Sequence, residues 1–279
     1  MTKQKRIHPA VLIAVLFWLT ALIAASVWDL DISLAIADES SVYGRILEVA
    51  GESPAILFTS FNFSLMMAHF LKRSDRSRLH LTLAALTFIG CVGTSVFTTV
   101  KIADYLADYG LVSGSMPTLI AVASALIIAA LLLWNALRLS EASLVRYFDT
   151  ACRCAYAAIA TFVIIWIFKL CWGRVRFRQL DGDLTRFTPW YHPNGFNGYF
   201  SFPSGHTANA TVIFSVTYYL RHLPERFSKW KPLILMVLVL WIAATAFSRV
   251  RVGAHYLSDV LFGAAITFAI VYFFKDKHD

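Results

Sequence analysis

Charge is scarce in this chain. Asp, Glu, Lys and Arg together make up 15% of its 279 residues, against ~25% in an ordinary soluble domain. A chain so poor in charge and 58% hydrophobic is excluded from the usual soluble classes. Cysteine is also sparse. Cys91, Cys152, Cys154 and Cys171 lie in or at the ends of apolar stretches, so no secreted disulfide framework is implied. Cys152-Arg-Cys154 lacks zinc-site spacing and has no partner pair, which leaves small packing residues as the reading. No alternating polar–apolar pattern is present, which excludes a membrane β-barrel. No internal repeat is visible either, and that argues against a transporter built from repeated halves.

What is present is a series of long apolar blocks. About 20 such residues cross a bilayer core as a helix, and backbone polar groups in lipid must be satisfied internally. The sequence therefore predicts an all-α polytopic transmembrane helical bundle of about eight spans: Pro9–Val27, Pro54–Leu71, Leu79–Val100, Pro117–Leu137, Ala155–Cys171, Ser204–Leu220, Pro232–Phe247 and Tyr256–Phe274. The first is too long for a signal-peptide core and is followed by Trp28-Asp29 rather than a cleavage site. The acidic block from Asp29 to Glu52 reads as a surface helix or ordered loop.

Lys and Arg are unevenly placed. With the N-terminus inside, inner segments carry about twice as many as outer ones, as the positive-inside rule expects. The outer cations are Arg45, Lys101, Arg174, Arg176, Arg178, Arg186, Arg249 and Arg251, and most fall in two loops, after the fifth and seventh spans. Cations that break the topological rule imply an anionic ligand. The net charge of +8 is thus topology plus a site, and nucleic acid is not implied.

Three segments flank those loops: Lys169-Leu-Cys-Trp-Gly-Arg-Val-Arg176, Pro203-Ser204-Gly205-His206, and Ser248-Arg249 followed by His255 and Asp259. Lys169, Arg176 and Arg249 can charge a phosphate pocket, and Arg presents a fork matched to phosphate oxygens. Ser204-Gly205-His206 opens a helix, whose N-terminal N–H groups favour anions. His255 and Asp259 are four apart and share a helix face. The carboxylate can hold one imidazole nitrogen and leave the other to attack. His206, from another span, can protonate a leaving oxygen. Trp190, Tyr191, Phe196, Tyr199 and Phe200 read as an interfacial aromatic belt or a lid. His8, His69, His80, His222 and His278 read as solvated or interfacial, and His192 as an outer-loop residue.

In their order and spacing these segments resemble the type-2 phosphatidic acid phosphatase superfamily, with its acid phosphatases, glucose-6-phosphatases and vanadium haloperoxidases. The resemblance runs roughly from Lys169 to Asp259. It implies a helical core, usually of six helices, here preceded by two further spans. It also implies that Lys169, Arg176, Ser204, Gly205 and Arg249 bind phosphate, that His255 becomes a phosphohistidine, that Asp259 is its partner and that His206 is the acid. No metal and no cofactor is implied. One departure is Phe177, where the family pattern has proline after Arg176. The assignment of Arg176 over Arg174 and Arg178 rests on spacing.

The expectation is a single integrated membrane domain, with N-terminal helices in residues 1–150 and the motif-bearing helices in 151–279. It would hydrolyse a lipid phosphate or diphosphate at the outer face of a bacterial plasma membrane, with both termini cytoplasmic. A phosphotransferase using the same residues, and a lipid transporter or flippase, are the alternatives.

Overall fold

The computed structural model describes residues 9–73, 77–114 and 116–275. Among them there is no strand. The helices are α1 (Pro9–Ile36), α2 (Val42–Ala50), α3 (Ser53–Lys72), α4 (Arg78–Asp108), α5 (Met116–Arg138), α6 (Glu141–Trp172), α7 (Gly205–Val212), α8 (Lys231–Arg251) and α9 (Leu257–Phe274). Among the described residues seven stretches are long and apolar enough to cross a membrane: Val15–Ile36, Val42–Lys72, Arg78–Asp108, Pro117–Arg138, Glu141–Gln179, Glu225–Arg251 and Leu257–Phe274. Large apolar side chains point outward along them, among them Phe17, Ile89, Ile127, Trp134, Phe162 and Leu240. Lipid solvates such a surface as readily as a protein core would. The chain is an all-α polytopic membrane bundle.

The interior mixes large apolar residues such as Leu65, Met66 and Leu144 with many small and hydroxyl ones. Ala55, Thr59, Ser60, Ser64 and Ala68 line α3, the central post, which packs on α4, α5 and α6. Small residues let backbones approach where no hydrophobic drive separates helix from lipid. Their hydroxyls return to carbonyls one turn earlier, as in Thr59 to Ala55 at 3.0 Å and Ser95 to Cys91 at 2.8 Å. A hydroxyl satisfied in this way needs no partner from the bilayer.

Two expectations change. Helix α1 does not stop at Val27; it bends at Trp28 (φ −118°, ψ 17°) and continues to Ile36. The block from Asp29 to Glu52 is a surface helix only in part: Val42, Tyr43 and Ile46 are exposed, but Asp29, Glu48 and Glu52 are buried. The sixth span is also unusual. Residues 205–212 are α-helical, but Ile213–His222 is a 3-10 helix. At ~1.5 Å per α-residue and ~2.0 Å per 3-10 residue, the two pieces together reach about 32 Å. The segment is long enough to cross and, being packed against α3, α6, α8 and α9, need not be apolar enough to face lipid.

One end of the bundle gathers the ends of many elements. Arg251 at the end of α8 donates to Ile36 O at 2.5 Å and Asp38 at 2.7 Å, just past α1. Ser204 N, at the start of α7, donates to Asp259 O on α9 at 2.9 Å. The first residues of α1 and the last of α9 lie at the opposite end, where Arg153 reaches Phe274 O at 3.3 Å. Lys3, Lys5, Arg6, Arg76 and Lys277, counted as inner cations, and His8 and His278 lie outside the described residues. Of the other histidines, His69 is buried and stacked on Phe148 at 3.9 Å between centroids, so it is not solvated. Cys91, Cys152 and Cys154 are buried, whereas Cys171 is exposed.

Candidate active site

The first segment is shaped by the end of α6. Gly173 closes that helix in the left-handed region (φ +51°), and a Cβ there would collide with Gly195 O. The chain then turns sharply into Arg174-Val175-Arg176. The second segment is shaped by capping. Ser204 Oγ accepts from Thr207 N at 3.4 Å and Thr207 Oγ1 at 3.1 Å, which fixes the start of α7. The third is shaped by Asp259, which accepts from Tyr256 N at 3.1 Å at the start of α9. Gly263 lets α9 press on the second segment, since a Cβ there would lie 2.5 Å from Ser204 O.

The eight residues expected at the site share this end of the bundle. Lys169 is buried, and its Nζ donates to Phe200 O at 2.5 Å. A Cβ on Gly205 would meet Lys169 Cε at 3.4 Å, so lysine and helix start are neighbours. Arg249 NH2 donates to Glu48 Oε1 at 2.6 Å, while its Nε and NH1 are buried without a hydrogen-bond partner. Arg176 Nε is likewise buried and unpartnered. The charges of Arg176 and Arg249 act on each other and on His206, and that of Arg176 also acts on His255.

His255 Nδ1 lies 3.5 Å from Asp259 Oδ2, at the outer limit of hydrogen bonding, and has no closer partner. Burial outweighs the attraction of Asp259 and pushes the imidazole down to about 3, because a charged ring would lose its water. A neutral imidazole keeps the lone pair that a nucleophile needs. His206 Nε2 is 3.1 Å from Tyr105 Oη and 3.5 Å from Glu52 Oε1.

The three arginines of the first segment have different surroundings. Arg174 is fully buried and saturated. Its Nε donates to Thr188 O at 2.8 Å, NH1 to Asp259 Oδ1 at 2.6 Å and Ser258 Oγ at 2.8 Å, and NH2 to Asp29 Oδ2 at 2.8 Å. Its guanidinium also covers the Tyr256 ring at 4.0 Å. Arg178 is partly exposed and donates to Glu48 at 3.3 Å. Arg176 alone of the three keeps a buried N–H without a partner.

Several residues at this end escaped the sequence reading. Ser201 Oγ donates to Asp259 Oδ2 at 2.5 Å, and Asp29 accepts from the same Arg174 that donates to Asp259. Glu48 holds Arg249, and Tyr109 donates to Glu48. Glu52 pairs with Lys101 and accepts from Asn209 at 2.7 Å. Carboxylates flanked by apolar helices were the available signal, since such groups are rarely unpartnered near a membrane. The aromatic loop is neither a plain belt nor a free lid. Trp190 packs on Phe262 and donates to Ser26 Oγ at 2.9 Å, whereas Tyr191 and Phe196 are exposed.

Residues 150–278 match the PAP2 superfamily. That stretch is a PAP2 superfamily domain. It holds all eight expected site residues, and Asp29, Glu48, Glu52, Lys101 and Tyr105 lie outside it. The chain is also similar to phosphatidylglycerophosphatase B of Bacillus subtilis, 32% identical over 94 residues. The similarity covers 33% of this chain and 46% of the relative, so the chain spans about half the length of the relative it matches. No solved structure matches.

Proposed function

We propose that this protein is a membrane phosphatase that releases phosphate from a lipid phosphate or lipid diphosphate through a phosphohistidine on His255. The observation that carries the reading is the set of buried, unpartnered N–H groups on Arg176 and Arg249, set beside two imidazoles that each face a carboxylate. A desolvated guanidinium N–H without an acceptor is costly, and a phosphate dianion supplies oxygens to several at once.

In this reading Lys169, Arg176, Arg249, the Ser204 hydroxyl and the Gly205 N–H hold the phosphoryl oxygens and stabilise the charge that spreads over them during transfer. Asp259 fixes the ring of His255 through Nδ1 and leaves Nε2 to attack phosphorus. His206 protonates the leaving oxygen. Water then attacks the phosphohistidine, with His206 taking its proton.

An apolar cavity of about 340 Å³ supports a lipid substrate. Its walls include Ile56, Phe63, Phe97, Ile159 and Phe162, and it begins at Asn209, one turn of α7 beyond His206. An alkyl chain there would leave its head group beside the histidines. The name of the Bacillus relative makes phosphatidylglycerophosphate the first substrate to try. Among the described residues no group of three or more His, Cys, Asp or Glu is placed to hold a metal ion, and the reading is metal-independent.

The test is phosphate release by purified protein in detergent, over phosphatidylglycerophosphate, polyprenyl diphosphate, phosphatidate and lipid A phosphates. At least one should turn over in the presence of a chelator and be inhibited competitively by vanadate. Turnover that a chelator abolishes and a divalent metal restores contradicts the mechanism. Phosphate that appears on a second lipid instead of in solution assigns a phosphotransferase.

A further inference from the structure

His206 has an arrangement on its far side that the PAP2 match does not contain. Its Nε2 faces Tyr105 Oη at 3.1 Å and Glu52 Oε1 at 3.5 Å. Both residues belong to the N-terminal helices: Tyr105 to α4, and Glu52 to the turn just before α3. The Glu52 carboxylate is buried. Asn209 holds its Oε2 at 2.7 Å, and Lys101 pairs with its Oε1. This pair mirrors the one on the other histidine, where Asp259 lies at the same 3.5 Å from His255 Nδ1.

The charges around His206 make the pair consequential. Arg249, Lys101, His255 and Arg176 all act on the ring. These are cations or become cations. A general acid must carry a proton before it can give one away. Among the groups facing this ring, Glu52 is the carboxylate within ion-pair distance, and Tyr105 is neutral.

We propose that Glu52 is the positioning residue of His206, holding Nε2–H and stabilising the imidazolium so that Nδ1 can protonate the leaving oxygen. The proposal rests on the phosphatase reading above. As the bond from phosphorus to the leaving oxygen breaks, its electron pair stays on that oxygen, which takes the Nδ1 proton. Neutral His206 then removes a proton from the attacking water. The new O–P bond forms, the P–N bond breaks and its electron pair returns to His255. Inorganic phosphate leaves, and His206 is again the imidazolium beside Glu52. The N-terminal helices thus supply a part of the acid that the PAP2 domain lacks.

The test compares wild type with Glu52→Gln and Glu52→Asp, using a lipid phosphate and an aryl phosphate whose leaving group needs little protonation. Glu52→Gln is expected to lower kcat on the lipid by on the order of 10²-fold, the low end of general acid catalysis. It should move the basic limb of the pH profile to lower pH and cost clearly less on the aryl phosphate than on the lipid. Glu52→Asp should recover part of the lipid rate, and it carries the test if the glutamine variant cannot be purified. The protonation of His206, followed by imidazole nitrogen NMR in detergent, should fall by at least a pH unit in midpoint without Glu52. Equal losses on both substrates with an unchanged His206 midpoint would make Glu52 a structural anchor and overturn the proposal. If the wild type releases phosphate from no substrate, the phosphatase reading fails, and the NMR midpoint alone still decides the role of Glu52.

Discussion

At the scale of single residues, Arg174 and Arg176 are two positions apart and do opposite work. Every donor group of Arg174 is committed to Thr188, Ser258, Asp259 or Asp29. Breaking a buried pair by removing one partner typically costs ~3–5 kcal/mol, because the other charge is stranded. Here two carboxylates would be stranded. Arg174→Met should therefore yield little folded protein, with a thermal midpoint in detergent far below wild type. Arg176→Met removes a cation whose Nε has no protein partner. It should keep the thermal midpoint and lose vanadate inhibition and turnover by at least 10²-fold, consistent with the loss of a charge-assisted contact worth ~3 kcal/mol. The reverse pattern would exchange their roles. Spacing alone pointed to Arg176 in the sequence. What Arg174 does was not legible there, because its main partner outside the domain, Asp29, is 145 residues away.

The two histidines separate in the same way. His255→Ala removes the attacking atom, and no choice of substrate should restore it. His206→Ala should lose ~10²–10⁴-fold on a lipid phosphate and recover in part on an aryl phosphate, provided the pocket admits one. Rapid acid-free quenching should trap phosphate on His206→Ala but not on His255→Ala. Label that persists on His255→Ala sinks the assignment. Burial of His255 has a second consequence. Its folded value lies near 3, below the ~6.5 of an unfolded histidine. Between those values the unfolded chain binds a proton that the folded one refuses, so stability falls as pH falls from about 6.5 towards 3, by up to ~1.4 kcal/mol per pH unit for this group. The midpoint of wild type should drop more steeply between pH 7 and pH 5 than that of His255→Gln. Parallel slopes would mean that the ring is already protonated in the fold.

At the scale of elements, the cavity beside α7 gives a prediction of specificity. Gly93 on α4 lines it, and a Cβ at that position meets nothing within 4 Å. Gly93→Leu should fold, occupy the cavity and raise KM for a long-chain lipid phosphate severalfold, with little change for a soluble short-chain one. An equal effect on both would place the chain elsewhere. The apolar elements were the legible part of the sequence, because lipid imposes length and composition on any helix that faces it. The exceptions differ in cause. The second half of α1 carries Asp29, which is buried while its neighbours Val27, Trp28 and Leu34 stay exposed. The sixth span carries Thr207, Asn209, Thr211 and Ser215 and is packed against protein, so hydropathy does not describe it. The 3-10 stretch at Ile213–His222 has no signature in its residues that distinguishes it from an α-helix.

At the scale of the whole molecule, the three motif segments share one end, and the described start of α1 and end of α9 share the other. We expect the site end to face outward. Cysteines introduced at Gly195 and at Ser228 should react with an impermeant thiol reagent from outside and from inside respectively, in a background where exposed Cys171 is replaced. Labelling of both from one side would contradict the proposed topology. The division of the chain near residue 150 does not divide the site, since Glu48 and Glu52 approach Arg249 and His206 from before it.

The ion pair of Glu48 with Arg249 spans 201 residues of chain, and that distance has a meaning in time. A ribosome adds ~5–20 residues per second, so roughly 10–40 s pass between the synthesis of the acid and the arrival of its base. Asp29 waits 145 residues for Arg174 in the same way. Until the end of α8 emerges, the nascent protein holds Glu48 without the guanidinium of Arg249. Any chain cut short before Arg249 keeps that defect permanently. Such fragments should be degraded faster in the membrane than the finished chain, in which Asp29 and Glu48 both meet their arginines.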